Sequence, residues 1–242
     1  MIAGEIKEIV RHPVKSMRGE SVQETTIEAY GIYGDRSHAY LDNTRPGKFV
    51  TATQFPAMIG YGAKFIGEES QDVYPAVEVK TPEGKVYRWN DAALLQEIEE
   101  KAKREIETIQ YKPDYVPMGA IEEEHILLVT EPSLRKLAFI WGEEIDHRRF
   151  RANLVLSLYE DTPFTEETWF GKQMKIGEAE LQIQRHCERC SIININPATY
   201  SLDHTLLKTV ARKRNSHFGV YASVIKSGKI KVGDKVILFK NA

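Results

Sequence analysis

The sequence predicts a mainly β protein in two parts, decorated by about three helices. Short apolar or alternating runs recur with Gly- and Pro-containing breaks between them, the pattern of strands joined by turns. Only the stretches 91–107, 130–141 and 203–214 place apolar residues at helical spacing. Lys112-Pro113-Asp114-Tyr115-Val116-Pro117-Met118-Gly119 is the strongest break in the chain, so the two parts are expected at 1–113 and 118–242.

In the first part, Gly4 to Val10 alternates apolar and polar residues and reads as a strand with one buried face. Pro13 ends its ladder and opens the loop Pro13-Val14-Lys15-Ser16. Ser21 to Ile27 reads as the next strand. A turn with Gly31 and Gly34 then leads through Asp35-Arg36 into a strand from Ser37 to Leu41. Taken alone, Lys15 is a solvated loop charge and Arg36 a surface arginine paired with Asp35. Gly60-Tyr61-Gly62 lacks the third glycine of a dinucleotide-binding turn, because Phe65 stands there. Tyr74 to Lys80 and Lys85 to Arg88 form a hairpin, and Asp91 to Glu107 a helix with Asn90 or Asp91 as its cap.

In the second part, His125 to Val129 reads as a buried strand. Thr130 caps the helix that follows, with Pro132 early in it. Arg148, Arg149 and Arg151 precede the apolar strand that begins after Asn153. The cysteine stretch Arg185-His186-Cys187-Glu188-Arg189-Cys190 comes next, followed by the strand-like Ser191 to Ile195 and a helix from Asp203 to Arg214.

Both cysteines of the chain sit in that stretch as Cys-x-x-Cys. Zinc and iron–sulfur sites each need about four ligands, which this motif does not supply. A strand after it argues against a thioredoxin-like dithiol. Two readings stay open on the motif alone: a pair of small buried side chains, or a metal-ligating thiolate. Under the second, Cys190 is favoured, because a guanidinium directly before it, that of Arg189, stabilises an anionic sulfur.

At 242 residues, 42% hydrophobic and 28% charged, the chain can bury a sizeable core. A formal charge of −2 leaves no basic field, so no nucleic-acid polymer is expected as partner. No apolar run approaches the roughly 20 residues of a membrane helix. Met1-Ile2-Ala3 opens into strand-like sequence without a leader, and two cysteines make no disulfide framework. A cytoplasmic protein with no membrane partner is expected.

The flanking motifs carry a resemblance. Cys187-Glu188-Arg189-Cys190, Asn196-Pro197-x-Thr199, Phe218-Gly219-x-Tyr221 and Gly228-x-Ile230-x-Val232-Gly233-Asp234 occur in the order found in the MOSC (molybdenum cofactor sulfurase C-terminal) domain family. The whole chain looks most like bacterial relatives of the mitochondrial amidoxime-reducing component. The resemblance implies a MOSC-type β-barrel preceded by an N-terminal β-barrel part. It implies a molybdenum cofactor, molybdopterin-bound, with Cys190 as catalytic metal ligand and Lys15, Ser16, Arg36, Thr130, Arg151, Asn153 and Arg189 around the cofactor. Thr53 stands where that family often has arginine, and Glu188 where it has a small residue.

The implied activity is reduction of small N-hydroxylated substrates, amidoximes and N-hydroxylated bases. Electrons would come from a separate reductase, a flavoprotein or a heme or iron–sulfur protein, since the chain has no flavin or nicotinamide fingerprint. The alternative is a non-enzymatic carrier of the cofactor, or of persulfide sulfur on Cys190. A cysteine hydrolase is the weakest reading, because no Gly-x-Ser-x-Gly elbow is present.

Overall fold

The computed structural model describes residues 1–121 and 123–239. The first part runs β1 (Ile2–Arg11), β2 (Glu20–Val22), β3 (Glu24–Glu28), β4 (Gly31–Ile32), β5 (His38–Asp42), β6 (Gly62–Ile66), β7 (Ala76–Lys80), β8 (Val86–Arg88), α1 (Ala92–Ala102) and β9 (Ile106–Gln110). The second runs α2 (Met118–Ile121), β10 (Ile126–Thr130), α3 (Glu131–Trp141), β11 (Leu154–Leu158), β12 (Gln173–Ile176), β13 (Ala179–Glu188), α4 (Thr205–Arg214), β14 (His217–Lys226), β15 (Gly228–Lys231) and β16 (Lys235–Phe239). Three of the helices are long, and α2 is a single turn.

Seven strands close into a barrel in the order β11-β10-β14-β13-β12-β16-β1, with β1 pairing back onto β11. Only β10 and β11 run parallel. Closure pairs the edges that an open sheet leaves exposed. Six of the seven strands follow residue 125, and the seventh is the first strand of the chain, so the barrel is shared across the expected 113/118 division. Its apolar core includes Ile6, Ile9, Leu128, Leu156, Met174, Ile183 and Val220, with Trp169 fully buried beside them.

The remaining strands form small sheets around an aromatic core. β15-β3-β4, β5-β9 and β6-β7-β8 are separate ladders. Tyr33, Tyr40, Tyr61, Phe65, Tyr74 and Trp89 pack together with Leu94 and Ile98 of α1, and Ile195 reaches this cluster from the second part. A third cluster joins Leu137 of α3 and Leu206 and Val210 of α4 to Phe150, Cys187, Ile193 and Phe218. Among the described residues no helix is long and apolar enough to cross a membrane.

Three expected elements differ. The run 21–27 is two strands, because β2 pairs with β1 while β3 pairs with β15, and the chain changes sheets at Gln23. The helix expected to Glu107 ends at Ala102, where Lys103 takes a left-handed conformation (φ 54°), and Ile106 begins β9 against β5. Ser191–Asn194 is one turn of 3₁₀ helix, not a strand. Its β-branched residues favour a strand locally, but Ile193 is buried with the helices of the third cluster and its carbonyl accepts from Arg149 Nη1 at 3.0 Å.

Candidate functional site

A cavity of about 320 Å³ collects side chains from both parts of the chain: Lys15, Ser16, Arg36, Arg151, Asn153, Arg189 and Cys190 all line it. Of the residues expected at a site, only Thr130 is absent from its lining.

The loop after β1 is tied to β5. Val14 bridges to His38, and Lys15 N donates to His38 O at 2.8 Å. This holds Lys15, buried, with its ammonium on Ala120 O at 2.7 Å. Ser16, Arg36 and Arg151 all have positive φ (69°, 54° and 54°), a conformation that costs a non-glycine residue on the order of 1 kcal/mol. Such strain persists only where surrounding structure enforces it, and here three instances converge on one cavity.

Asp35 is the anchor behind Arg36. It is 1% exposed, forms an ion pair with the Arg36 guanidinium, and accepts from His12 N at 2.7 Å and His12 Nδ1 at 3.2 Å. Burial alone would raise its pKa, but the Arg36 charge and the His12 hydrogen bonds outweigh burial and hold it well below the ordinary carboxylate range. Burial first, then the Arg151 charge, push His12 down to about 3, so it is neutral and donates through Nδ1. The Arg36–Asp35 pairing expected of a surface arginine is therefore present, but buried within the wall of the cavity.

Arg151 follows a 3₁₀ turn, His147–Phe150, capped by the Asp146 carboxylate on Arg148 N at 3.0 Å. Its Nη1 donates to Met17 O at 2.9 Å and so bridges the two parts of the chain. Asn153 is a strand clamp: Oδ1 accepts from Leu127 N at 3.1 Å and Nδ2 donates to Val10 O at 3.3 Å. Both ends of its amide are used in joining β10 and β1 to β11.

The cysteine stretch corrects one expectation. Arg189 Nη1 donates to Cys187 Sγ at 2.7 Å and Nη2 to Phe150 O at 2.8 Å, so its charge lies on the first cysteine and not on Cys190. Alternation along extended backbone explains this: Cys187 and Arg189 face inward and are buried, whereas Glu188 and Cys190 face out and are exposed. Arg189 Nε is buried with no acceptor among the described residues.

Thr130 is the second correction. It is fully buried, its hydroxyl donating to Glu166 Oε2 at 3.1 Å and capping Ser133 N at 3.4 Å. Ser133 Oγ also donates to Glu166, and burial raises that carboxyl's pKa. This network docks a 3₁₀ turn, Thr165–Trp169, onto α3 and away from the cavity. Sequence reasoning passed over Glu123 and Tyr221, which also line the cavity: Arg185 pairs with Glu123 at 2.8 Å and lies 5.3 Å from the Tyr221 ring centre. Tyr221 does fall within the motif Phe218-Gly219-x-Tyr221.

The residues present fit an anionic ligand. Four cationic side chains converge, Arg36 is pre-positioned by Asp35, and Arg189 keeps one buried N–H without an acceptor among the described residues. Arginine forks suit phosphate oxygens bidentately. Among the described residues no group of three or more His, Cys, Asp or Glu is arranged to hold a metal ion.

Comparison with known proteins agrees with this architecture. Molybdenum cofactor sulfurases of Drosophila mojavensis and Drosophila grimshawi are 34% and 36% identical over 114 residues, 46% of this chain. The match spans only 14% of the length of each of those proteins. The crystal structure of the YUAD protein from Bacillus subtilis shares the fold across 100% of this chain and 98% of its own, at a TM-score of 0.55 and 13% identity. The MOSC N-terminal beta barrel domain matches residues 3–89 and the MOSC domain residues 110–237, more than half of the chain. The chain belongs to the MOSC domain family.

Proposed function

We propose that this protein is a cytoplasmic reductase of N-hydroxylated small molecules that holds a molybdenum cofactor in the cavity between its two parts. The supporting observation is the convergence of Lys15, Arg36, Arg151 and Arg189 with the exposed sulfur of Cys190 in one cavity. Cys190 supplies the one protein thiolate to the metal. The cations and Ser16 hold the anionic remainder of the cofactor, and the buried Arg36–Asp35 pair keeps its geometry before the ligand arrives, which lowers the ordering cost of binding. When bound, the cofactor supplies two-electron oxygen-atom chemistry, and the protein supplies placement and electrostatics.

Overall, an N–OH group takes two electrons and two protons and leaves as N–H plus water. The electrons come from a separate reductase, a flavoprotein or a heme or iron–sulfur protein. Bacterial relatives of the amidoxime-reducing component are the members this reading follows. The test is reduction of benzamidoxime by protein expressed in a cofactor-producing host and supplied with a strong artificial electron donor. Turnover by molybdenum-loaded protein and none by apo-protein is expected. Loaded protein whose metal is reduced but which leaves every N–OH compound untouched overturns the reading.

A carrier of cofactor or of persulfide sulfur is the second reading. It is favoured by the exposure of Cys190 and by likeness to proteins named molybdenum cofactor sulfurase. A persulfide on Cys190 in metal-free protein, found by intact mass, is its signature.

A further inference from the structure

We infer that Glu188 makes this cavity selective for positively charged ligands, so that cationic N-hydroxylated bases and amidinium products bind more tightly than neutral or anionic molecules of the same shape. The inference rests on the reductase reading.

Alternation at the end of β13 puts Glu188 and Cys190 on the same, exposed side. Two residues of extended chain separate their backbones by about 6.6 Å. Both line the cavity. Among the described residues the other carboxylates that line it are paired: Glu123 is 2.8 Å from Arg185 and Glu124 3.6 Å from the same guanidinium. Glu188 makes no ion pair among the described residues. The four cations, by contrast, are each at most 8% exposed and lie deeper.

The cavity is thus polarised. Its inner wall suits an anion, and the exposed side that bears Cys190 also bears the carboxylate of Glu188, which has no ion-pair partner among the described residues. A cation held within about 7 Å of that carboxylate gains on the order of tenfold in affinity, between the roughly threefold of bulk water and the roughly fiftyfold of a typical protein-surface dielectric. Amidines are stronger bases than the amidoximes they come from, so removing the N–O oxygen turns a neutral substrate into a cation. The product is then held better than the substrate.

The test uses molybdenum-loaded protein and two ligands that are not turned over, benzamidinium and its neutral isostere benzamide, with affinities measured by calorimetry. Benzamidinium is expected to bind at least fivefold tighter, with the preference shrinking as salt rises. In Glu188→Gln the two ligands come within about twofold of each other at unchanged molybdenum content, and Glu188→Asp keeps the preference. Kinetically, Glu188→Gln raises KM for a benzamidoxime bearing a para-trimethylammonium group and lowers it for the para-carboxylate. Equal affinities in the unsubstituted protein, or a Glu188→Gln effect of the same size on every ligand, overturns the inference. Charge-dependent binding in loaded protein that reduces no N–OH compound supports the role of Glu188 and overturns the reductase reading alone.

Discussion

Arg189 gives its Nη1 hydrogen bond to the sulfur of Cys187, two residues back, at 2.7 Å, and leaves the sulfur of Cys190 facing the cavity. The two cysteines therefore have separate tasks. Both line the cavity, but Cys187 is 1% exposed and holds the arginine, whereas Cys190 is exposed and available to a ligand.

Cys187→Ala removes an acceptor from a buried guanidinium and should cost about 1–3 kcal/mol in urea unfolding. Cys190→Ser, on the exposed side, should change stability by no more than about 0.5 kcal/mol while abolishing molybdenum retention by elemental analysis. Metal loss in the Cys187 variant with retention in the Cys190 variant would sink the assignment.

Arg151 combines a strained backbone with a charge, and the two separate by substitution. Arg151→Ala should weaken cofactor binding by about 1.5–3 kcal/mol, lowering molybdenum occupancy and reductase activity in parallel. Arg151→Gly loses the same charge but relaxes the φ of 54°, and should be about 1 kcal/mol more stable than the alanine variant. Equal occupancy in wild type and both variants would remove Arg151 from the binding set.

Thr130→Val deletes the cap of α3 and a donor to Glu166, and should cost about 1–2 kcal/mol of stability. Molybdenum content per folded protein should stay at the wild-type level. A variant of normal stability that fails to retain metal would return Thr130 to the cofactor.

Acid should destabilise the fold before carboxylates titrate. His12 and His38 are buried neutral, burial being the main cause, with pKa values near 3 and 4 against 6.5 for the free side chain. The unfolded chain binds more protons than the native one between those values, so this stability is complete above about pH 6.5 and declines as pH falls toward 4. Asp35, held low, adds a further loss only below the ordinary Asp range. His147 works oppositely: its hydrogen bond to Glu8 raises its pKa, so its contribution is present below 6.5 and fades as pH rises through the raised value. Urea midpoints measured from pH 7.5 to 4 should fall, and His38→Asn should flatten the slope. A midpoint independent of pH across that range contradicts the assignment.

What the sequence determined by itself is local. The cap at Thr130, the helical spacing in 131–141, the hairpin of β7 and β8 and the alternation of β1 arise from neighbours within a few residues, and they formed where expected. Of the eight site residues implied by resemblance to the MOSC family, all but Thr130 meet in the cavity, whereas Thr51, Thr53 and Tyr221 of its lining are not among them. Tertiary structure decided the rest, because it depends on partners far away in the chain. The barrel needs β1 to pair with β11 and β16, about 150 and 230 residues on, which no local pattern encodes. That pairing splits 21–27 between two sheets. Packing against α3 and α4 turns Ser191–Asn194 from strand-forming residues into a 3₁₀ turn. The direction of the Arg189 side chain followed from which strand face was buried, and only closure of the barrel sets that face.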